Sequence, residues 1–356
     1  MRKVKLTSVC RPKQWKTIPT TELRDVGYPV YGANGVIGYY DSYNHEQETV
    51  VITCRGATCG TVNLTHPRSY VTGNAMCLDN VDDSVDIKYL FYSMQAYDFT
   101  KVISGTAQPQ ITREGLEKVE FALHTLNMQR KIVCILDKTD NLIGKRRLQL
   151  EKLDELVKSR FVEMFGDPEI NDMHWDEHKL SDELSVIGGY AFKSDSFQED
   201  GIPVLRIGNI NAGVFRPINL VFWEKDDTLF KYLMYPGDLV MSLTGTVGKD
   251  DYGNVCILGS EYEMYYLNQR NAKLELKDGL DKYYLAELLK FPQIKKRLTG
   301  ISRGVRQANI SNKDILDLSV PIPPMKLQNQ FADFVTQVDK SKFMGSNRYF
   351  IIKQPL

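Results

Sequence analysis

From Leu126 to Phe165 apolar side chains recur at helical spacing, and no proline interrupts them. Met128, Ile132, Ile135 and Leu142 fall three, four or seven apart, and the register resumes at Leu150, Leu153, Val157, Phe161 and Met164. Such a stripe is the seam of a long helix packed against a partner. Leu148, Leu156 and Val162 widen it, whereas Lys138, Lys145, Arg146, Arg147, Glu151 and Asp154 suit a solvated side. The register slips between Ile143 and Leu150, near Gly144, so a perfect heptad coil is not expected. At roughly 1.5 Å per residue the helix would be about 60 Å long. That exceeds what one small domain needs and predicts a rod between two domains.

Before it, residues 1–122 alternate in the manner of short strands with one or two helices. Gly27 to Gly38 reads as strand, turn and strand, with Asn34-Gly35 suited to a tight hairpin. Thr49–Thr53 is a buried strand, Arg55–Thr58 a turn and Gly60–Leu64 the return strand. Lys88–Tyr97 has helical spacing, Ser104–Gln110 is a polar loop, and a short apolar strand follows near Phe121.

Residues 166–322 repeat this order. Gly201-Ile-Pro-Val204 echoes Gly27-Tyr-Pro-Val30, Leu239–Thr246 echoes Val50–Ala57, and Lys282–Leu285 echoes Lys88–Leu90. Gln307-Ala-Asn-Ile-Ser311 echoes Gln108-Pro-Gln-Ile-Thr112, and the phrase Leu-x-x-Gln follows at Leu126–Gln129 and Leu327–Gln330. Echoes in one order, with an offset that grows along the chain, are what loop insertions into a duplicated unit produce. After Pro321-Ile-Pro-Pro324 has ruled out helix, a second, shorter helix is predicted from Met325 to about Lys342. The expected fold class is α/β (mixed α+β), ordered as domain (1–122), long helix (123–165), domain (166–322), and shortened helix with tail (323–356).

Two diverged domains, each closing on Gln-x-x-Ile-[Ser/Thr] before a helix opened by Leu-x-x-Gln, resemble the specificity subunits of type I restriction-modification systems. The resemblance covers nearly the whole chain. It implies two target-recognition domains reading a bipartite double-stranded DNA site. It also implies antiparallel spacer helices that dock methyltransferase (modification) and restriction subunits, with no cofactor held by this chain.

Composition narrows the classes. Lys and Arg number 45 against 45 Asp and Glu, a formal net charge of zero, which argues against a non-specific polyanion binder and leaves room for a specific reader. No apolar run approaches the roughly eighteen residues that cross a membrane, and Met1–Leu6 lacks a signal-peptide core, so a cytoplasmic protein is expected. Cys10, Cys54, Cys59, Cys77, Cys134 and Cys256 form no CxxC pair and read as reduced thiols, with no metal site expected. Gly245–Asp250 has the wrong spacing for a phosphate loop, and Pro321–Pro324 lacks the polar and aromatic ends of an amino-methyltransferase loop. His45, His66, His124, His174 and His178 sit in no nucleophile motif, and His174 and His178 read as surface residues.

Base reading needs Arg for guanine and Asn or Gln for adenine. Such residues occupy matching loops: Arg55, Thr58, Gln108, Gln110 and Arg113 in the first copy, and Thr244, Thr246, Lys249, Arg303, Arg306, Gln307 and Asn309 in the second. Thr112 and Ser311 read as caps of the next helices; Arg303, Arg306 and Lys249 read as DNA contacts, Lys249 to phosphate. Partner docking is expected along Ile132, Ile135, Leu142, Leu150, Leu153, Val157 and Phe161, with the seam uncovered near either Ile132–Leu142 or Val157–Phe165. Asp79–Asp86 reads as a solvated acidic turn, Lys145–Arg147 as a solvated helix face, and Trp15, Trp175 and Trp223 as packing residues. Alongside the DNA reader, two alternatives remain at this level: an enzyme whose motifs are cryptic, and a helical interaction scaffold or truncated specificity variant.

Overall fold

The computed structural model describes residues 2–105, 108–300 and 307–346, of residue 307 and residues 343–346 the backbone alone. The chain divides into two compact units, Met1–Arg146 and Arg147–Leu356.

In the first unit, strands β1 (Arg2–Lys5), β2 (Arg11–Gln14), β3 (Tyr28–Gly32), β4 (Gly35–Tyr40), β5 (Val50–Thr53), β6 (Val62–Leu64), β7 (Tyr70–Val71) and β8 (Ala75–Asp79) precede helices α1 (Ile87–Gln95) and α2 (Arg113–Leu116). Strand β9 (Glu120–Leu123) then leads into α3 (Leu126–Phe165). The sheets run β2-β8-β5-β6, β4-β3-β7 and β1-β9. Val50, Ile52, Met76 and Leu78, on alternate positions of β5 and β8, join Leu90, Met94 and Phe121 in one core. Tyr31, Val51, Val71, Ala75 and Cys77 form a second layer on the other face.

The second unit holds β10 (Glu177–Lys179), α4 (Leu180–Glu183), β11 (Leu184–Gly188), β12 (Ile202–Leu205), β13 (Val221–Trp223), β14 (Leu233–Met234), β15 (Leu239–Ser242), β16 (Thr244–Thr246), β17 (Val255–Ile257), β18 (Tyr265–Leu267) and β19 (Asn271–Leu276). Helices α5 (Lys282–Leu288) and α6 (Pro292–Thr299), strand β20 (Gln307–Asn309), α7 (Asn312–Leu316), β21 (Ser319–Pro321) and α8 (Met325–Ser346) complete it. Its sheets, β11-β19-β15-β17, β13-β12-β18-β14 and β10-β21, follow the plan of the first unit, and β16-β20 is added.

The duplication reaches down to single hydrogen bonds. β3 runs parallel to β7 with Val30 opposite Tyr70, and β12 runs parallel to β18 with Val204 opposite Tyr266. Gly27 and Gly201 enter these strands at φ +133° and +117°, where a Cβ would strike the carbonyl oxygens of Tyr40 and Trp223. Asp86 caps α1 through the amides of Lys88 and Tyr89; Asp281 caps α5 through those of Tyr283 and Tyr284.

The glutamines that open the long helices lock these caps in place. Fully buried Gln129 accepts from Asp86 N and donates to the carbonyls of Ser84 and His124, all at 2.8 Å. Fully buried Gln328 accepts from Asp281 N at 2.8 Å and donates to the carbonyls of Gly279 and Pro323 at 3.2 and 2.8 Å. The partner of Gln129 is therefore Gln328, not Gln330. The expected match of Leu126–Gln129 with Leu327–Gln330 is two positions out of register, because only the glutamine that reaches the cap is buried, and Gln330 is exposed.

Helix α3 is continuous from Leu126 to Phe165. In the first unit Val133 and Ile132 face the core, and Asp137 pairs with Lys88 at 3.0 Å and Tyr92 at 2.7 Å. In the second unit α8 packs antiparallel to it. Phe331 meets Phe161 and Phe165 with ring centres 5.5 Å apart, while Lys342 reaches Asp154 at 2.8 Å. Val157 and Phe161, expected to dock a separate subunit, are 4% and 0% exposed inside this unit's own core, and Leu153 packs against it. That corrects their role: α8, Tyr284 and Phe291 already cover this end of the seam. Leu150 is half-buried, whereas Ile135 and Leu142 are 65% and 60% exposed. The second helix runs to Ser346, past the expected end near Lys342; the break expected in the tail lies, from 347 on, outside the described residues.

Candidate nucleic-acid interface

In the first unit three loops converge. The β3–β4 turn presents Ala33, whose carbonyl accepts from the Thr53 hydroxyl and, at 3.4 Å, from Thr58 Oγ1. The loop after β5 turns at Gly56, φ +89°. The segment 109–111 docks on it: Gly56 N donates to Pro109 O at 3.1 Å and Ile111 N to Cys54 O at 3.0 Å. Arg55 thus stands beside Gln110 across a backbone bridge. Arg55, Gln108, Gln110 and Arg113 are exposed, and Thr58 is half-buried.

The second unit repeats the construction as a strand pair. Thr244 lies opposite Asn309 and Thr246 opposite Gln307, and Ile310 N donates to Leu243 O at 2.9 Å. Counted along the repeat, Thr244 with Asn309 is the same pair as Arg55 with Gln110. The Gln-x-x-Ile-[Ser/Thr] motif thereby divides its labour. Ile111 and Ile310, each 3% exposed, anchor the loop, and Thr112 and Ser311 cap α2 and α7. Immediately before the isoleucine, Gln110 and Asn309 are carried at the exposed edge of the loop, while Ala308 is buried.

Not every expected reader is free. Thr246 is engaged by Asp251, through its amide at 2.8 Å and its hydroxyl at 3.0 Å. The Thr246 N–H, above all, holds that carboxyl below the usual range. Lys249 is exposed on the turn made by Gly248 at φ +79°, its amide bonded to Thr246 O at 3.0 Å. Lys295 of α6, 9% exposed, pins the same loop by pairing with Asp250 and with Asn254 Oδ1 at 2.6 Å. Asn309 is exposed. Of Gln307 only the backbone is described, and Arg303 and Arg306 lie outside the described residues.

Other expectations resolve locally. The tryptophans pack: Trp15 Nε1 donates to Asp79 Oδ2 at 3.0 Å, Trp175 Nε1 to Phe165 O at 2.9 Å, and Trp223 joins the Phe192 cluster. His174 and His178 are exposed. The acidic run is not one solvated turn, since Asp79 ends a central strand with its side chain 14% exposed and Asp86 caps α1. His45, Cys77 and Asp79 bring their donor atoms within 4.8 Å of one another, a grouping that their spacing in the chain conceals. Among the described residues no helix is long and apolar enough to cross a membrane.

Residues 1–152 and 173–346 match the family described as the type I restriction modification DNA specificity domain. Over 318 residues the chain is 27% identical to the type I restriction enzyme MjaVIII specificity subunit of Methanocaldococcus jannaschii, covering 82% of this chain and 72% of that protein. It is 22% identical over 329 residues to the putative specificity subunit S.HindORF215P of Haemophilus influenzae, with 87% and 80% covered. The crystal structure of a type I restriction-modification S subunit from M. genitalium matches with a TM-score of 0.59 at 18% identity, over 98% of this chain and 91% of that one. That last likeness speaks for the fold alone.

Proposed function

Because the chain belongs to the family of type I restriction modification DNA specificity domains, matched in both halves, we propose that each unit reads one half of a bipartite DNA site through the loop face just described. The chain is the non-catalytic specificity subunit of a type I restriction-modification system; methyl transfer and cleavage belong to the methyltransferase and restriction subunits with which it works. The reading domains are taken as 1–122 and 166–322, with 123–165 and 323–356 as helical segments, and the place of action as the cytoplasm.

One observation carries the reading: the same backbone bridge recurs in both units, bearing Arg55 and Gln110 in one and Thr244 and Asn309 in the other. A shared frame with different side chains suits two readers of different half-sites. Arg55 suits guanine, and Gln110 and Asn309 suit adenine. Lys249, on a glycine turn, suits phosphate. Gln108, Arg113, Gln307, Arg303 and Arg306 are retained as candidates on sequence grounds. The exposed row Met128, Ile135 and Leu142, at 46, 65 and 60%, is offered as methyltransferase docking surface.

Binding of duplexes by the chain together with its methyltransferase subunit tests the assignment. Arg55→Ala should cost about 1–3 kcal/mol of discrimination at one base position. Lys249→Ala should weaken all duplexes alike and reduce the log–log salt slope by about 0.9. Equal weakening of every duplex by Arg55→Ala would remove Arg55 from base reading.

A further inference from the structure

We propose that His45, Cys77 and Asp79 of the first unit bind a divalent transition-metal ion, zinc by the character of the donors. Cys77 and Asp79 are alternate residues of β8 and so share one face of its sheet. His45 is fixed beside them by paired backbone bonds with Ser69, at 3.1 and 3.0 Å. The orientation of its ring is dictated from behind. Asn44 Nδ2 donates to Val71 O at 3.0 Å and Asn44 Oδ1 accepts from Val71 N at 2.8 Å, so the amide cannot be turned. The same Oδ1 lies 2.7 Å from His45 Nδ1, which must therefore carry the hydrogen.

In the neutral ring Nε2 then presents a lone pair, and 3.0 Å away it meets a carboxylate oxygen, Asp79 Oδ1. Two lone pairs at that distance repel unless a cation lies between them. At that separation no water fits between the two atoms, and His45 and Cys77 are only 9% and 0% exposed. A tetrahedral zinc ion with nitrogen and oxygen ligands at its usual bond lengths holds them about 3.3 Å apart, close to the spacing found. The nearby Cys77 sulfur supplies the soft third ligand, after side-chain movement on the order of 1 Å, and gives up its proton to solvent on binding. The surrounding bonds are those of a metal site: His45 donates its other N–H to Asn44, and Asp79 Oδ2 accepts from Trp15 Nε1 at 3.0 Å. His45 and Asp79 stand in the wall of a cleft of about 1220 Å³, which gives an ion its path in and leaves a fourth position for water.

The test uses the full chain, stripped with a chelator under reducing conditions and titrated with Co²⁺ alone. One Co²⁺ per chain is expected, with tetrahedral d–d absorption and a thiolate-to-cobalt charge-transfer band, both displaced by Zn²⁺. Cys77→Ser should abolish the charge-transfer band, and Cys134→Ser, at an exposed thiol, should keep it. Should Cys77→Ser fail to fold, His45→Gln decides, with at least a tenfold loss of Co²⁺ affinity expected and unchanged affinity counting against the site. Absence of the band from the wild-type chain, or its survival in Cys77→Ser, overturns the proposal; a second proton on His45 is then the cation between the lone pairs.

Discussion

Gln129 and Gln328 show how much a single side chain can settle. Each satisfies one amide and two carbonyls at the point where a domain meets its helix. Substitution by leucine keeps the volume but leaves those buried groups unpaired. Gln129→Leu or Gln328→Leu should cost about 2–3 kcal/mol in denaturant unfolding, and Gln330→Leu, at an exposed position, almost nothing. His178 offers a smaller, pH-dependent effect. Its hydrogen bond to Glu183, at 2.6 Å, raises its pKa above the ordinary histidine value. The contribution to stability is therefore full below about pH 6.5 and fades as pH rises through the raised value. With His178 44% exposed, His178→Gln should cost under about 1 kcal/mol near pH 5 and nothing near pH 9; an equal cost at both would mean the charge is irrelevant. At this scale the sequence was readable where a motif carries its own local bond, as in the caps Thr112 and Ser311. It was silent where strand alternation and a distant loop assemble the group, as with His45, Cys77 and Asp79.

Helix α3 shows what periodicity reveals and what it hides. The apolar stripe marks the helix from Leu126 to Phe165, since nothing else repeats at that spacing without proline. It does not say who covers the stripe. Val157 and Phe161 are covered from within by α8 and α5, while Met128, Ile135 and Leu142, seven apart, remain exposed. Phe161→Ala should therefore cost about 3–5 kcal/mol and speed hydrogen exchange in 239–291 while leaving 50–78 unchanged. Faster exchange in both would mean that α3 unfolds as one piece. The hairpin of β3 and β4 and the strands β5 and β6 were legible because glycine turns punctuate short apolar runs there. The acidic stretch was misread because charge alone does not distinguish the end of a strand or a helix cap from a solvated turn.

For the whole molecule, two units share one plan, and α3 is the element common to both. The duplication was legible in ordered echoes, although its last step needed the hydrogen bonds of Gln328 to fix the register. If α3 sets the distance between two read segments, deleting about one helical turn between Lys138 and Leu148 should shorten the unspecified gap in the target by a base pair or more and leave both half-sites intact. Changed bases within a half-site would give α3 a part in reading. The most direct measurement is genome-wide methylation mapping in cells that carry this chain, lack it, or carry Arg55→Ala with Gln110→Ala. The expected outcome is a bipartite methylated motif that vanishes without the chain and relaxes in one half alone in the double variant. A motif that persists without the chain, or loses both halves together, would contradict it.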